Sequence, residues 1–356
     1  MTKQPWITNA KTDLLFIIAP TFVALALAFV FAQSYFFHET TPLWAWVVFV
    51  LLIDVAHVHS MLFKTYFDTV SFKKHRILYT LTPLLCYFAF VSIYWFGGSE
   101  WFWRILAYLA VFHFIRQQYG FVRLYNRQHN QSKYLDLFDE ITIYGATVLP
   151  IIHWHLNSPR EFLWFVEKDF YSFPATNYLP IINWIYAGLV VLYLLKEFYC
   201  ILNQQVNIPR TLLIISTMTS WYFGIVYFNN DLIFTILNVV AHGVPYMCLI
   251  WVDLHKRKGQ IKGFSRLVFN KNGVLFFIFT IILIAYFEEA LWDATQWRSY
   301  DTLFSWAYFL PTTFSTVALS FLIPLLALPQ VTHYVLDGFI WKKGFEEEIS
   351  VVIETE

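Results

Sequence analysis

Imidazole is the side chain whose placement in this sequence most demands a chemical reason. Of eleven histidines in 356 residues, His57, His59, His113, His153, His155, His242 and His333 fall inside strongly apolar stretches, whereas His38, His75, His129 and His255 fall in polar connections. A polar ring in hydrocarbon costs free energy unless it is paired, so an intramembrane histidine marks a packing hydrogen bond, a proton path or a metal ligand. Depth separates the seven. His57 lies 7 residues before Lys64, His113 lies 10 before Arg123, His242 lies 11 before Asp253 and His333 lies 9 before Lys342. At about 1.5 Å of rise per residue, those offsets put all four roughly 10–17 Å from the charged ends of their segments. Four imidazoles on four helices at one depth, turned to a common interior, make the donor set of a metal site in a helix bundle.

The neighbours of these histidines extend the pattern. A metal-bound imidazole usually hands its other ring nitrogen to a carboxylate or carbonyl. Asp54 lies three residues before His57 and Asp337 four after His333, offsets that keep each carboxylate on the helical face of its histidine. Asp54 and Asp337 are therefore candidate catalytic residues that orient the rings and offset a cation's charge. Asn238, four before His242, and Gln117, four after His113, carry the same spacing in amide form. A helix turns His59, two residues beyond His57, about 200° away from it, toward another helix. The dyad His153 and His155 and the cluster Glu288, Glu289 and Asp293 belong near the opposite ends of their segments; Glu289 becomes a general-base candidate if its helix is shifted in depth toward the histidine layer.

The elements that must hold such a layer are set by composition. With 58% hydrophobic and 13% charged residues, the chain carries about half the charge of a soluble domain, and at about 20 residues per span it can furnish about ten membrane helices. A helix-length window places them near 14–37, 43–67, 77–97, 101–123, 141–156, 179–202, 211–228, 231–252, 273–292 and 313–341. The fold class expected is an all-α integral membrane bundle of about ten transmembrane helices, one polytopic domain over residues 1–356. Orientation follows from the cations. With Lys3 and Lys11 inside, Lys73, Lys74, Arg76, Arg116, Arg123, Arg127, Lys133, Lys196, Arg210, the run from Lys256 to Lys271, and Lys342 and Lys343 all fall on the cytoplasmic side. Glu39, Glu100, Glu161, Asp231 and Asp301 fall opposite, so both termini are expected inside. The aromatic segment 161–173 is expected to form an outer interfacial helix. The 24 Lys+Arg equal the 24 Asp+Glu, so no basic field exists to recruit nucleic acid. Cys86, Cys200 and Cys248 lie apart, which excludes a disulfide framework and a thiolate site.

An imidazole set suits iron, zinc, copper or nickel. Iron in an apolar bundle fits oxygen activation against a lipid-soluble substrate; zinc in the same place fits water attack on a lipid ester or amide. The H-x-x-x-H and H-x-x-H-H boxes of membrane desaturases and hydroxylases, the H-E-x-x-H of zinc proteases, and the H-x-x-x-H of seven-helix membrane hydrolases are all missing. Single histidines dispersed over helices, here His57, His113, His242 and His333, resemble in their architecture the bacterial beta-carotene-cleaving dioxygenases of the Brp/Blh type. That resemblance implies histidine-held iron and a polyene substrate; the expectation for this chain is an oxidoreductase acting on a membrane lipid or isoprenoid-like substrate in a bacterial inner (cytoplasmic) membrane. A proton-coupled multi-pass transporter is the reading from a different class; it would use the same polar residues with Pro245, Pro324 and Pro329 breaking helices beside them, although no internal repeat accompanies them.

Overall fold

The computed structural model describes residues 4–32, 41–127 and 131–342. Lys3, His38, Glu39, His129, Lys343 and the stretch of the first expected span beyond Ala32 lie outside them. The described residues are helical throughout their ordered elements and contain no strand, only an isolated bridge between Asp68 and Gly263. In chain order the helices are α1 (Ala10–Ala32), α2 (Leu43–Phe63), α3 (Arg76–Asn126), α4 (Lys133–Leu156), α5 (Thr176–Leu202), α6 (Ile208–Trp221), α7 (Asp231–Lys256), α8 (Gly273–Trp297), α9 (Thr316–Leu326) and α10 (Leu328–Ile340). Short polar residues start several of them: Asn9, Ser132 and Ser315 accept from the amides of Thr12, Leu135 and Ala318, each satisfying a donor that a helix leaves orphaned.

Among the described residues six helices, α1, α2, α3, α5, α7 and α8, are long and apolar enough to cross a membrane; α9 and α10, bent by 45° at their junction, make a seventh if they act as one span. The fifth and seventh expected segments are helices too, α4 and the short α6, but they do not meet that standard of length and composition. α4 opens with Asp136, Asp139 and Glu140. The third and fourth expected segments are the two arms of α3, joined at Gly98 (φ 74°), a left-handed conformation that glycine adopts without a Cβ penalty. Large apolar side chains face outward: Phe96 is 87% exposed and Trp184 78%. Arg210, Asp139 and His242 are meanwhile buried, the reverse of the distribution that water selects.

The chain forms two compact units. The first, Met1–Ala45 with Ala107–Tyr246, has an aromatic core of Phe114, Trp154, Phe162, Phe170, Trp221 and Phe234. It also encloses a charge network. Lys196 of α5 reaches Asp139 of α4 at 2.7 Å and its neighbour Glu197 at 2.6 Å; Arg210 of α6 reaches Asp139 at 3.1 Å and Glu197 at 2.9 Å. Lys196 and Arg210, expected in cytoplasmic connections, are thus internal ion-pair partners. The second unit, Trp46–Leu106 with Met247–Glu356, packs α2 on α8. Its own network joins Lys64 to Asp253 at 2.8 Å, Asp253 to Arg257 at 2.6 Å and Arg257 to Asp68 at 3.3 Å.

The interfacial helix expected near 161–173 is absent; the segment is an irregular loop. Its backbone donors are answered by one side chain instead of by helical carbonyls: the Asp169 carboxylate accepts from the amides of Trp164, Phe165 and Val166 at 3.0, 2.7 and 3.3 Å. Phe162 and Phe170 turn inward into the aromatic core. Part of the aromatic content read as an interfacial face is thus core packing, while Tyr171 and Phe173 stay exposed.

Candidate metal centre

Each histidine of the expected layer is placed by local structure. His57 lies in the turn Ala56–Ser60, every residue of which is buried, directly after a wide π-helical run over Trp46–Val55. Such stretches are uncommon at this length and recur at functional sites. His333 lies on α10, and its ring meets that of His57 edge to face, centroids 5.1 Å apart. His113 lies on the second arm of α3 and meets the His242 ring of α7 in the same manner at 5.0 Å. The Phe114 ring stacks on His242 at 3.7 Å, only 9° from parallel, which removes the rotational freedom of that imidazole.

The four come together. One ring nitrogen of each of His57, His113, His242 and His333 lies within 4.8 Å of the chosen nitrogen of every other, and all four residues are buried. Nitrogens bound to opposite sides of a common metal at about 2.0–2.1 Å are themselves about 4.2 Å apart, so the group has the size of a ligand cage. Such a group can hold a divalent ion; four imidazolium charges at this spacing would repel one another without solvent to screen them.

The carboxylates expected beside the rings are there, at electrostatic range. Asp54 Oδ1 is 3.7 Å from Nδ1 of His57, and Asp337 Oδ1 is 3.9 Å from Nδ1 of His333. Both therefore sit on the Nδ1 side, with Nε2 on the far side of each ring. The amides behave differently from expectation. Gln117 donates to the backbone carbonyl of His242 at 2.9 Å, and Asn238 donates to the carbonyl of Phe234 at 2.8 Å. Pro245 supplies the reason for one further contact: it has no N–H for the carbonyl four residues back, and Gln118 donates to that carbonyl, of Ala241, at 3.4 Å while accepting from Thr217 at 3.0 Å. The glutamines thus brace the broken turn of α7 that presents His242. Sequence reading overlooked Gln118, although Pro245 advertised a carbonyl needing a donor.

Glu289 is outside the four-histidine group. It lies on α8 within electrostatic reach of Glu288, Asp54 and Asp293, so Asp54 interacts both with this carboxylate cluster and with His57. The partner of His59 is Glu288, with Nε2 and Oε2 2.7 Å apart. Tyr334, next to His333, interacts with Asp54 and Glu288 and accepts from Gln330 at 2.8 Å. His153 is buried elsewhere; His155 donates from Nδ1 to the carbonyl of Ile151 at 2.7 Å and so accepts at Nε2 from Tyr108 at 2.6 Å.

Set against known proteins, the chain matches no family model, no curated protein and no solved structure.

Proposed function

We propose that the chain is a ten-span membrane metalloenzyme, both termini cytoplasmic, in which His57, His113, His242 and His333 hold one divalent ion. The observation that carries this reading is the convergence of four buried imidazole nitrogens within 4.8 Å, with Asp54 and Asp337 offsetting the ion's charge from behind two of the rings. An uncompensated divalent charge in a low-dielectric interior would be prohibitive, and nearby carboxylates lower that cost.

Iron is the metal assigned and oxygenation of a lipid-soluble substrate the chemistry. Imidazole donors accept iron or zinc alike; the apolar setting favours reactants that dissolve in hydrocarbon, and both dioxygen and an isoprenoid or acyl chain do. When bound, the iron supplies the one-electron chemistry that lets dioxygen react with such a chain. The protein residues then do the rest. Asp54 and Asp337, 3.7 and 3.9 Å from the Nδ1 atoms of His57 and His333, supply negative charge beside those rings, Phe114 fixes the plane of His242, and Gln117 and Gln118 hold the backbone that carries it. Glu289 and Glu288 with His59 lie on the Asp54 side, where a proton released or required at the site can be exchanged.

Product analysis on a lipid extract, with and without oxygen, tests this assignment. The purified protein loaded with ferrous iron is expected to consume oxygen and to yield an oxygenated or cleaved lipid. Turnover without oxygen to a hydrolysis product would identify a zinc hydrolase, and a ligand returned chemically unchanged would identify a transporter; either result overturns the oxygenase assignment.

A further inference from the structure

The first unit also carries a groove of a different kind. Along α4, Leu137, Glu140, Ile141, Tyr144, Gly145, Val148 and Leu149 share one face, and α5 closes it with Ile185, Gly188, Leu189 and Leu192; between them runs a groove of about 720 Å³. That volume lies within the range of built small-molecule sites. The run from Leu137 to Leu149 spans about 18 Å at 1.5 Å per residue, the reach of a long hydrocarbon chain through more than half of a bilayer core of about 30 Å.

Two glycines shape the groove. A Cβ on Gly145 would lie 2.6 Å from Leu189, so glycine there lets the two helices approach closely. A Cβ on Gly188 would meet nothing within 4 Å, so glycine there leaves space. The walls are hydrocarbon except at Glu140 and Tyr144, and the polar character continues onto α3. Arg116 donates to the Tyr144 hydroxyl at 2.6 Å and lies over the Tyr119 ring at 4.7 Å. Tyr119 in turn lies within electrostatic reach of Glu140, Arg123 and Arg116. The polar part of the groove therefore has the Glu140 carboxylate in its wall and the Arg116 guanidinium bound to its Tyr144, with Arg123 in electrostatic reach of the neighbouring Tyr119; the rest offers only apolar surface.

We infer that this groove holds one phospholipid whose acyl chain lies along Gly145, Val148 and Gly188, whose phosphate meets Arg116 and Arg123, and whose head group carries a hydrogen-bond donor for Glu140. Charge complementarity selects this occupant. Guanidinium groups only donate and an ionised carboxylate only accepts, so the matching head group pairs an anionic phosphate with an amine or hydroxyl. Phosphatidylethanolamine has that arrangement; phosphatidylcholine, whose nitrogen is fully methylated, has the phosphate without the donor. The site stands independently of the metal reading, since it uses none of the four histidines or their carboxylates.

The test is native mass spectrometry of the full chain released from vesicles of phosphatidylethanolamine, of phosphatidylcholine, or of an equal mixture. Wild type is expected to retain one phosphatidylethanolamine per chain and to prefer it over phosphatidylcholine by tenfold or more. Gly188→Phe, which fills open space, is expected to lose the retained lipid, and Glu140→Gln to keep a lipid while its head-group preference falls to within about twofold. The metal content of both variants should equal that of wild type. Retention of the same lipid by Gly188→Phe, absence of a retained lipid in wild type, or an undiminished head-group preference in Glu140→Gln would each overturn the inference. Should Gly188→Phe fail to fold, the Glu140→Gln preference decides it alone. Loss of metal in His113→Ala with the lipid still retained would show that the two sites are separate.

Discussion

Two buried polar regions of this molecule are built on opposite principles. The network of Lys196, Asp139, Glu197 and Arg210 brings together two cations and two anions at 2.6 to 3.1 Å, so each charge meets its complement within the chain. The group of His57, His113, His242 and His333 brings together four identical donors with ring nitrogens within 4.8 Å, a spacing suited to a shared ion. Complementary groups at contact distance fix helices against one another; like donors around a common centre can share an ion. Buried polar atoms thus serve architecture in one place and a candidate ligand site in the other.

The comparison breaks first at the ion pairs. Arg210→Ala leaves Asp139 and Glu197 sharing the single charge of Lys196, one buried anion in excess. Thermal unfolding in detergent should show a loss of about 3–5 kcal/mol, the usual cost of orphaning a buried charge, while folded molecules keep their full metal content. Unchanged stability would mean that the network does not hold the helices. Next in size are the carboxylates behind the rings. Asp54→Asn and Asp337→Asn should each weaken metal affinity by about 10–100-fold, measured by competition with a chelator, and should barely move the metal-free unfolding temperature. Equal affinity in both variants would remove Asp54 and Asp337 from the site.

A smaller effect is expected at the brace on α7. Gln118→Leu withdraws the donor to the Ala241 carbonyl that Pro245 leaves open, at a cost of about 1 kcal/mol, read again by thermal unfolding; adding Pro245→Ala should restore most of it by returning the missing N–H. No rescue would show that the two residues are uncoupled. The smallest effect belongs to the His59 and Glu288 pair. Glu288→Gln should alter metal affinity by less than about threefold, because the pair lies outside the four-histidine group, and a larger change would enlist Glu288 as part of the centre.

What the sequence made legible was periodic or depth-dependent. The offsets from His57, His113, His242 and His333 to the charged ends of their segments placed the rings at one level, and the spacing of Asp54 and Asp337 put carboxylates behind two of them. The long apolar runs marked α1, α2, α5, α7 and α8, and the two arms of α3 were separated correctly although the kink at Gly98 leaves one continuous helix in hydrogen-bonding terms. Three things were not legible, for physical reasons. Lys196 and Arg210 look like connection cations because charge alone does not say whether an anion waits on another helix, and Asp139 lies 57 residues from Lys196. Gln117 reads as a partner for His113 by its spacing, yet its long side chain reaches a carbonyl of another helix. The segment 161–173 reads as an amphipathic helix, but a single carboxylate, Asp169, satisfies three successive amides and stabilises a loop that no periodicity describes. In each case the missing information was a contact distant in sequence.

The central claim is that the four histidines share one ion, and metal analysis tests it most directly. The intact protein, purified without chelator from cells supplied with iron and zinc, and its His113→Ala variant are analysed side by side for metal per chain. The wild type is expected to carry close to one equivalent of a single divalent metal, iron in the first instance, and the variant to lose nearly all of it with the helical content preserved. A wild-type protein without stoichiometric metal, or a His113→Ala protein that keeps it in full, would contradict the account.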